Sequence, residues 1–120
     1  MTNSHGDYPD AARKVAQKEN VSLIDLTAPT TILCEALGVE GSKNAFGIYP
    51  EKNLFDNTHF NTYGAYLIAK LMVQQLKDQQ NALAKYLVDM PTFDPKKPDP
   101  FEQFFWPASP AFSVVKPDGN

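Results

Sequence analysis

The first apolar pattern along the chain predicts a helix. In residues 8 to 21, YPDAARKVAQKENV, three apolar side chains share one face and lysine and glutamine occupy the other. Pro9 suits the first helical turn, where the helix dipole also favours the charge of Asp10. Asn20 is a typical helix stop. We therefore expect an amphipathic helix at the start of the domain.

The next apolar run, VSLIDL at 21–26, is short, bounded by polar residues and typical of a largely buried strand. A helix followed by an apolar strand is the rhythm of a parallel α/β sheet. Residues 30–38, TTILCEALG, predict a second helix that begins near Pro29 and ends at Gly38. Residues 39–58 contain two glycines, a proline and several Asn and Lys residues, and are predicted to be loop.

A third, longer helix is predicted from the N-cap residue Asn61 to about Gln79. Between Tyr63 and Val73 its only charged residue is Lys70, so most of its surface should be covered by other structure. A short helix, ALAKYLV, is expected to follow.

The composition changes after Met90. Seven of the ten prolines lie in the last thirty residues, together with six aromatic residues: Phe93, Phe101, Phe104, Phe105, Trp106 and Phe112. Proline at this density excludes regular helix or sheet, whereas disordered tails are normally poor in aromatics. We divide the chain into an α/β part, residues 1–90, and an extended arm, residues 91–120, anchored on the folded body by its aromatic rings. A partner-binding or sugar-stacking arm is the alternative.

One strand cannot form a sheet by itself. The segment 21–26 would leave its backbone N–H and C=O groups unpaired on both edges. A parallel neighbour must therefore come from a companion segment or from another chain, which includes a second copy of this one.

Composition and charge exclude several classes of function. A net charge of −3 without a Lys/Arg cluster argues against nucleic-acid binding, and no apolar run is long enough to span a membrane. The N-terminus lacks the basic and apolar regions of a signal peptide. Cys34, the only cysteine, is interpreted as a buried small hydrophobe. No metal-ligand spacing or glycine-rich phosphate loop occurs, so we expect no cofactor.

The candidate chemistry lies in FDNTHF, where Asp56 precedes His59 by three residues, just before the long helix. A turn at the two intervening residues would fold the carboxylate back against the imidazole. A histidine general base needs this arrangement, because an acceptor on Nδ1–H leaves Nε2 facing the group to be deprotonated. The alternative is a simple helix cap, since D-x-x-H also arises by chance.

The longer string DNTHFNTYGAYLIAKLMVQQLK resembles the C-terminal motif of the SGNH (GDSL-type) hydrolases, in particular rhamnogalacturonan acetylesterases. The upstream HGDYPDAARKVAQKENVSLIDLT is similar to the same family. The resemblance implies a flavodoxin-like three-layer α/β/α fold, of which this chain is the C-terminal portion. It also implies that Asp56 orients His59, the general base, in a Ser–His–Asp triad acting on acetylated carbohydrate. An extracytoplasmic location is implied as well.

The chain departs from that family in lacking the G-D-S and G-x-N-D motifs that carry the nucleophile and the oxyanion-hole donors. Its serines, at positions 4, 22, 42, 109 and 113, lack the G-D-S context. If a companion segment supplies these groups, the assembly should deacetylate a carbohydrate ester. Otherwise the chain is an inactive fragment or a non-catalytic interaction module that self-associates.

Four further residues are predicted to have ordinary roles. His5 is expected to be solvated near the terminus, and Asp25 to bond nearby backbone. Phe60 and Tyr63, which flank the motif, are expected to pack under the third helix, with walling of the site as the alternative.

Overall fold

The computed structural model of the chain describes residues 4–49 and 54–107. Within those ranges it contains three α-helices, one antiparallel pair of strands and two short 3₁₀ helices. In chain order they are α1 (Tyr8–Lys18), α2 (Thr27–Lys43), β1 (Phe46–Tyr49), β2 (Leu54–Phe60), α3 (Thr62–Asp78) and the 3₁₀ segments Ala82–Tyr86 and Phe101–Gln103.

Helix α1 confirms the first prediction. Proline stands in its first turn and Asp10 is the acidic residue there, while Ala16 is its buried side chain. Asn20 adopts a left-handed φ of 52°, and the amide of Val21 then bonds the carbonyl of Ala16 at 3.0 Å. Asparagine tolerates this conformation better than most residues, which explains why the helix ends here.

Asp25 has the structural role expected of it. Its carboxylate accepts hydrogen bonds from Nε of Arg13 at 2.6 Å and from the backbone amide of Thr27 at 3.0 Å. The Arg13 bond, followed by the Thr27 bond, lowers the pKa of Asp25 from 3.8 to about 2. The carboxylate therefore stays ionised in moderately acidic solution and links α1 to the start of α2.

The strand predicted at 21–26 is wrong for the described part of the chain, where none of these residues belongs to a ladder. The carbonyl of Leu23 instead accepts a bond from the side-chain amide of Gln79 at 3.2 Å. Val21 and Leu23 are exposed. A strand is defined by its partner, and the described residues supply none to this segment.

Helix α2 begins three residues earlier than predicted, and Gly38 kinks it instead of ending it. Gly38 has φ 71° and ψ 179°, a conformation that favours glycine, and helix resumes as far as Lys43. The hydroxyl of Ser42 donates to the carbonyl of Cys34 at 3.0 Å, which spans the break. Cys34 is half-buried, and burial raises the pKa of its thiol, consistent with the packing role predicted for it.

The loop predicted over 39–58 is also wrong in part, because β1 and β2 lie there and pair antiparallel. The prediction rested on glycines and a proline. However, Gly41 lies within α2, and Gly47 stands opposite an irregularity of the ladder, where a strand tolerates glycine.

Helix α3 confirms the prediction at both ends. Asn61 is its N-cap, with the side-chain oxygen accepting from the amide of Gly64 at 3.0 Å. Tyr63, Leu67 and Leu71 of α3 are nearly inaccessible to solvent. The core cluster to which they belong consists of Leu33, Ala45, Tyr63, Leu67, Leu71 and Phe93. The opposite side of α3 is open within the described residues, with Met72 42% exposed.

The arm lies along α3. Phe93 is buried in the core, and its amide donates to the side chain of Gln74 at 3.0 Å. Lys77 reaches the carbonyl of Met90 at 2.7 Å. Phe104 packs on Tyr63 and Tyr66. These residues confirm anchoring by aromatic rings, but Phe105 and Trp106 are exposed and are not anchors, while Phe112 lies outside the described residues.

The mixture of helices and a small sheet is compatible with an α/β class. The one sheet in the described residues is antiparallel and two-stranded, so the three-layer parallel arrangement stays a prediction. In the same part of the chain, no helix combines the length and apolarity needed to cross a bilayer.

Candidate active site

A large bulge in β2 carries the D-x-x-H residues. Phe46 pairs with Phe60, and Ile48 pairs with Phe55. One residue of β1, Gly47, therefore stands opposite the four residues 56–59 of β2. Extra residues in one strand leave the ladder and redirect their side chains, a device that recurs beside active sites. The bulge frees the backbone of this tetrapeptide to form a turn.

The carboxylate of Asp56 closes that turn and contacts the imidazole. Its Oδ1 accepts from the backbone amides of Thr58 at 2.6 Å and His59 at 2.9 Å. Its Oδ2 lies 2.7 Å from Nδ1 of His59. One oxygen thus fixes the backbone and the other fixes the ring, so the predicted contact between the two side chains is present.

The electrostatics define which partner donates. Hydrogen bonds from the backbone amides of His59 and Thr58, then from the His59 ring, lower the pKa of Asp56. An ionised carboxylate can only accept, so Nδ1 must carry the proton of the 2.7 Å contact. The Asp56 side chain is only 16% exposed, whereas that of His59 is 79% exposed. In the neutral form of the ring, a proton on Nδ1 leaves Nε2 unprotonated, and this is the atom that a general base uses.

Asn61 connects the D-x-x-H turn to α3 and to the chain around β1. Besides capping α3, its side-chain amide donates to the carbonyls of Asn44 at 2.7 Å and Phe46 at 2.8 Å. Its backbone amide donates to the carbonyl of Ala45 at 3.1 Å. The residue two positions after His59 is therefore bonded at four points to α3 and to the chain around β1, which limits movement of the turn.

Gly64 allows α3 to approach that closely. A Cβ at this position would overlap the carbonyl oxygen of Ala45 and would lie 2.7 Å from Cδ1 of Phe60. Phe60 in turn stacks on Phe46, with ring centroids 5.0 Å apart. Tyr63 is buried, as expected, and Phe60 packs on β1 while staying 44% exposed.

Within the described residues, no serine hydroxyl is hydrogen-bonded to the ring of His59. Ser42 bonds the carbonyl of Cys34, and Oγ of Ser4 lies 3.4 Å from Nδ1 of His5, an exposed residue as predicted. Ser109 and Ser113 lie outside the described residues. No group of three or more side chains suited to a metal ion occurs in the same part of the chain.

Two residues with structural roles escaped the sequence analysis. Gly64 lies in the first turn of α3, where a Cβ would overlap the Ala45 carbonyl oxygen, and nothing in its sequence context points to that contact. Asp99, in the arm, accepts through Oδ2 from Tyr66 at 2.7 Å and from Lys70 at 2.6 Å, and its carbonyl accepts from the hydroxyl of Tyr63 at 2.6 Å. No local pattern predicts a partner 29 to 36 residues away.

Comparison with known proteins relates the chain to an esterase. It is 38% identical, over an alignment of 91 residues, to rhamnogalacturonan acetylesterase RhgT of Bacillus subtilis. The alignment covers 69% of this chain and 39% of that protein, so the chain spans well under half of the relative's length. No family model and no solved structure matches the chain. The similarity supports a relationship to SGNH-type acetylesterases, in agreement with the resemblance of the D-x-x-H motif.

Proposed function

We propose that this chain supplies the general base and its orienting carboxylate to a carbohydrate O-acetyl esterase, acting on acetylated pectic rhamnogalacturonan. His59 accepts the proton of a serine hydroxyl through Nε2, and Asp56 holds the ring and stabilises the imidazolium that forms. The observation that carries the proposal is the 2.7 Å contact between Asp56 Oδ2 and His59 Nδ1 on an exposed, rigidly mounted turn. Similarity to a rhamnogalacturonan acetylesterase supports the choice of substrate.

The nucleophile comes from a companion segment in this proposal. The 120 residues contain no G-D-S motif, and an aspartate–histidine pair alone cannot form an acyl-enzyme. The segment 21–26 offers a docking edge, because it is not paired with a strand in the described residues and exposes Val21 and Leu23. A parallel strand placed there would replace the bond from Gln79 to the Leu23 carbonyl and cover these side chains.

A chimera tests this proposal. The region of the Bacillus subtilis relative that aligns with this chain is replaced by the chain, and hydrolysis of p-nitrophenyl acetate is measured. We expect turnover by the chimera that a serine-directed inhibitor abolishes, and no turnover by the 120-residue chain alone. Inhibitor-sensitive turnover by the chain alone would contradict an external nucleophile. A folded chimera without turnover would favour the non-catalytic module instead.

A further inference from the structure

An apolar groove begins directly after His59 and has no role in the proton transfer described above. It has a volume of about 600 Å³. Its walls and floor are formed by Phe60, Thr62, Ala65, Tyr66, Ala69 and Trp106. Phe60, which lines the groove, is the residue that follows His59, whose own side chain is not part of the lining.

The lining of the groove fits a flat ring with a polar edge. The lining consists of three aromatic side chains, two alanines and the polar residues Asn61 and Thr62, and none of these residues is charged. The Asn61 amide nitrogen already donates to two backbone carbonyls, so Thr62 is the polar side chain that remains for a ligand. Ligand sites commonly combine apolar walls with a few polar groups that set orientation. Aromatic rings pack against the apolar faces of ligands while polar groups stay at the rim. A pyranose has apolar C–H faces and a hydroxyl-bearing edge, and matches such a lining.

Trp106 is exposed, and it follows a part of the arm that is bonded to α3. It is 61% exposed, although a buried position would stabilise the fold more. The arm just before it is fixed by Asp99, which bonds Tyr66 and Lys70, and by Phe104, whose ring centroid lies 5.2 Å from that of Tyr66. An indole kept at the surface by a rigid neighbouring segment is suited to contact something outside this chain.

We infer that this groove binds a pyranose ring of the acetylated polysaccharide, stacked on Trp106, next to the acetyl ester that reaches His59. The inference rests on the proposed function for the identity of the ligand. Trp106 and the alanine floor are binding groups in this account, and Asp99 is a positioning residue that acts through the arm.

The chain carries its own probe for this site, because Trp106 is its only tryptophan. Acetylated rhamnogalacturonan oligosaccharides are titrated into the 120-residue chain while the indole emission is recorded. We expect a saturable shift of the emission to shorter wavelength, since a stacked sugar removes water from the ring. An emission spectrum that does not change up to millimolar oligosaccharide would overturn the inference.

Two variants locate the binding. Ala69→Leu places a larger side chain on the exposed floor of the groove without removing a core contact. It should raise the dissociation constant of the oligosaccharide at least tenfold. Phe105→Ala removes the neighbouring exposed ring, which does not line the groove, and should leave the titration unchanged. Equal effects of the two variants would contradict binding in the groove.

This experiment separates the groove from the proposed reaction. Binding to the isolated chain requires no serine and no turnover, whereas hydrolysis of p-nitrophenyl acetate by the chimera requires no sugar. Oligosaccharide binding by a chimera that shows no turnover would refute only the esterase function. Turnover by a chimera that binds no oligosaccharide would refute only the sugar site. The part of the relative that lies outside the alignment is also added to the 120-residue chain. If the Trp106 emission responded to that protein and not to the oligosaccharide, the groove would be a protein interface and the sugar site would be overturned.

Discussion

Replacement of His59 by alanine should lower the rate of p-nitrophenyl acetate hydrolysis by the chimera by about 10²–10⁴-fold, the contribution typical of a positioned general base. The effect follows from the loss of Nε2, which faces solvent on a side chain that is 79% exposed. Because the ring is not buried, its removal leaves no cavity, and the thermal unfolding midpoint should change little.

The matched control is His5→Ala, since the chain has only two histidines. His5 is also exposed, and its ring lies near Ser4. We expect this variant to keep full turnover. If His59→Ala and His5→Ala hydrolysed the ester equally fast, His59 would have no part in the reaction.

Replacement of Gly64 by alanine should destabilise the chain by about 1–3 kcal/mol or more, the range for forcing extra volume into a packed site. The added methyl would overlap the carbonyl oxygen of Ala45, which is backbone and cannot rotate away, and would press on Phe60. Helix α3 would have to move away from β1, and the bonds of Asn61 would lengthen. Urea unfolding monitored by circular dichroism measures the change.

Gly41→Ala is the matched substitution in the same chain. A Cβ at Gly41 would lie 3.5 Å from Cβ of Leu37, an ordinary contact, within a helical segment. There the change should be neutral or stabilising by about 0.4–1 kcal/mol, because alanine reduces the freedom of the unfolded chain. If both variants were equally stable, the close approach of α3 to Ala45 would not hold in solution.

Sequence reasoning predicted the features that local chemistry fixes. The bounds of α3 follow from the cap at Asn61 and from helical periodicity, and the contact between Asp56 and His59 follows from a turn of four residues. Both depend on neighbours within one turn of chain, so a single sequence contains the information.

Most of the errors concern pairing between segments, which a local pattern does not contain. An apolar run at 21–26 has strand composition, but a strand needs a second segment, and the described residues provide none. The hairpin was missed because glycine and proline within 39–58 suggested loop, although the main-chain pairing of β1 with β2 tolerates Gly47. Likewise, aromatic content predicted anchors at both Phe104 and Trp106, and only the packing partners distinguish the partly buried ring of Phe104 from the exposed ring of Trp106.

The central claim is that the Asp56 carboxylate holds the proton of His59 on Nδ1 and leaves Nε2 free to act as the base. The protonation of both ring nitrogens can be read directly from ¹⁵N chemical shifts of the chain at a pH where the ring is neutral, with His5 as the internal comparison. We expect the Nδ1–H form for His59, and loss of that preference in Asp56→Asn, whose amide oxygen can still cap the turn while its NH₂ group donates towards the ring. A ring of His59 protonated on Nε2, with the same shifts in the wild-type chain and in Asp56→Asn, would contradict the account.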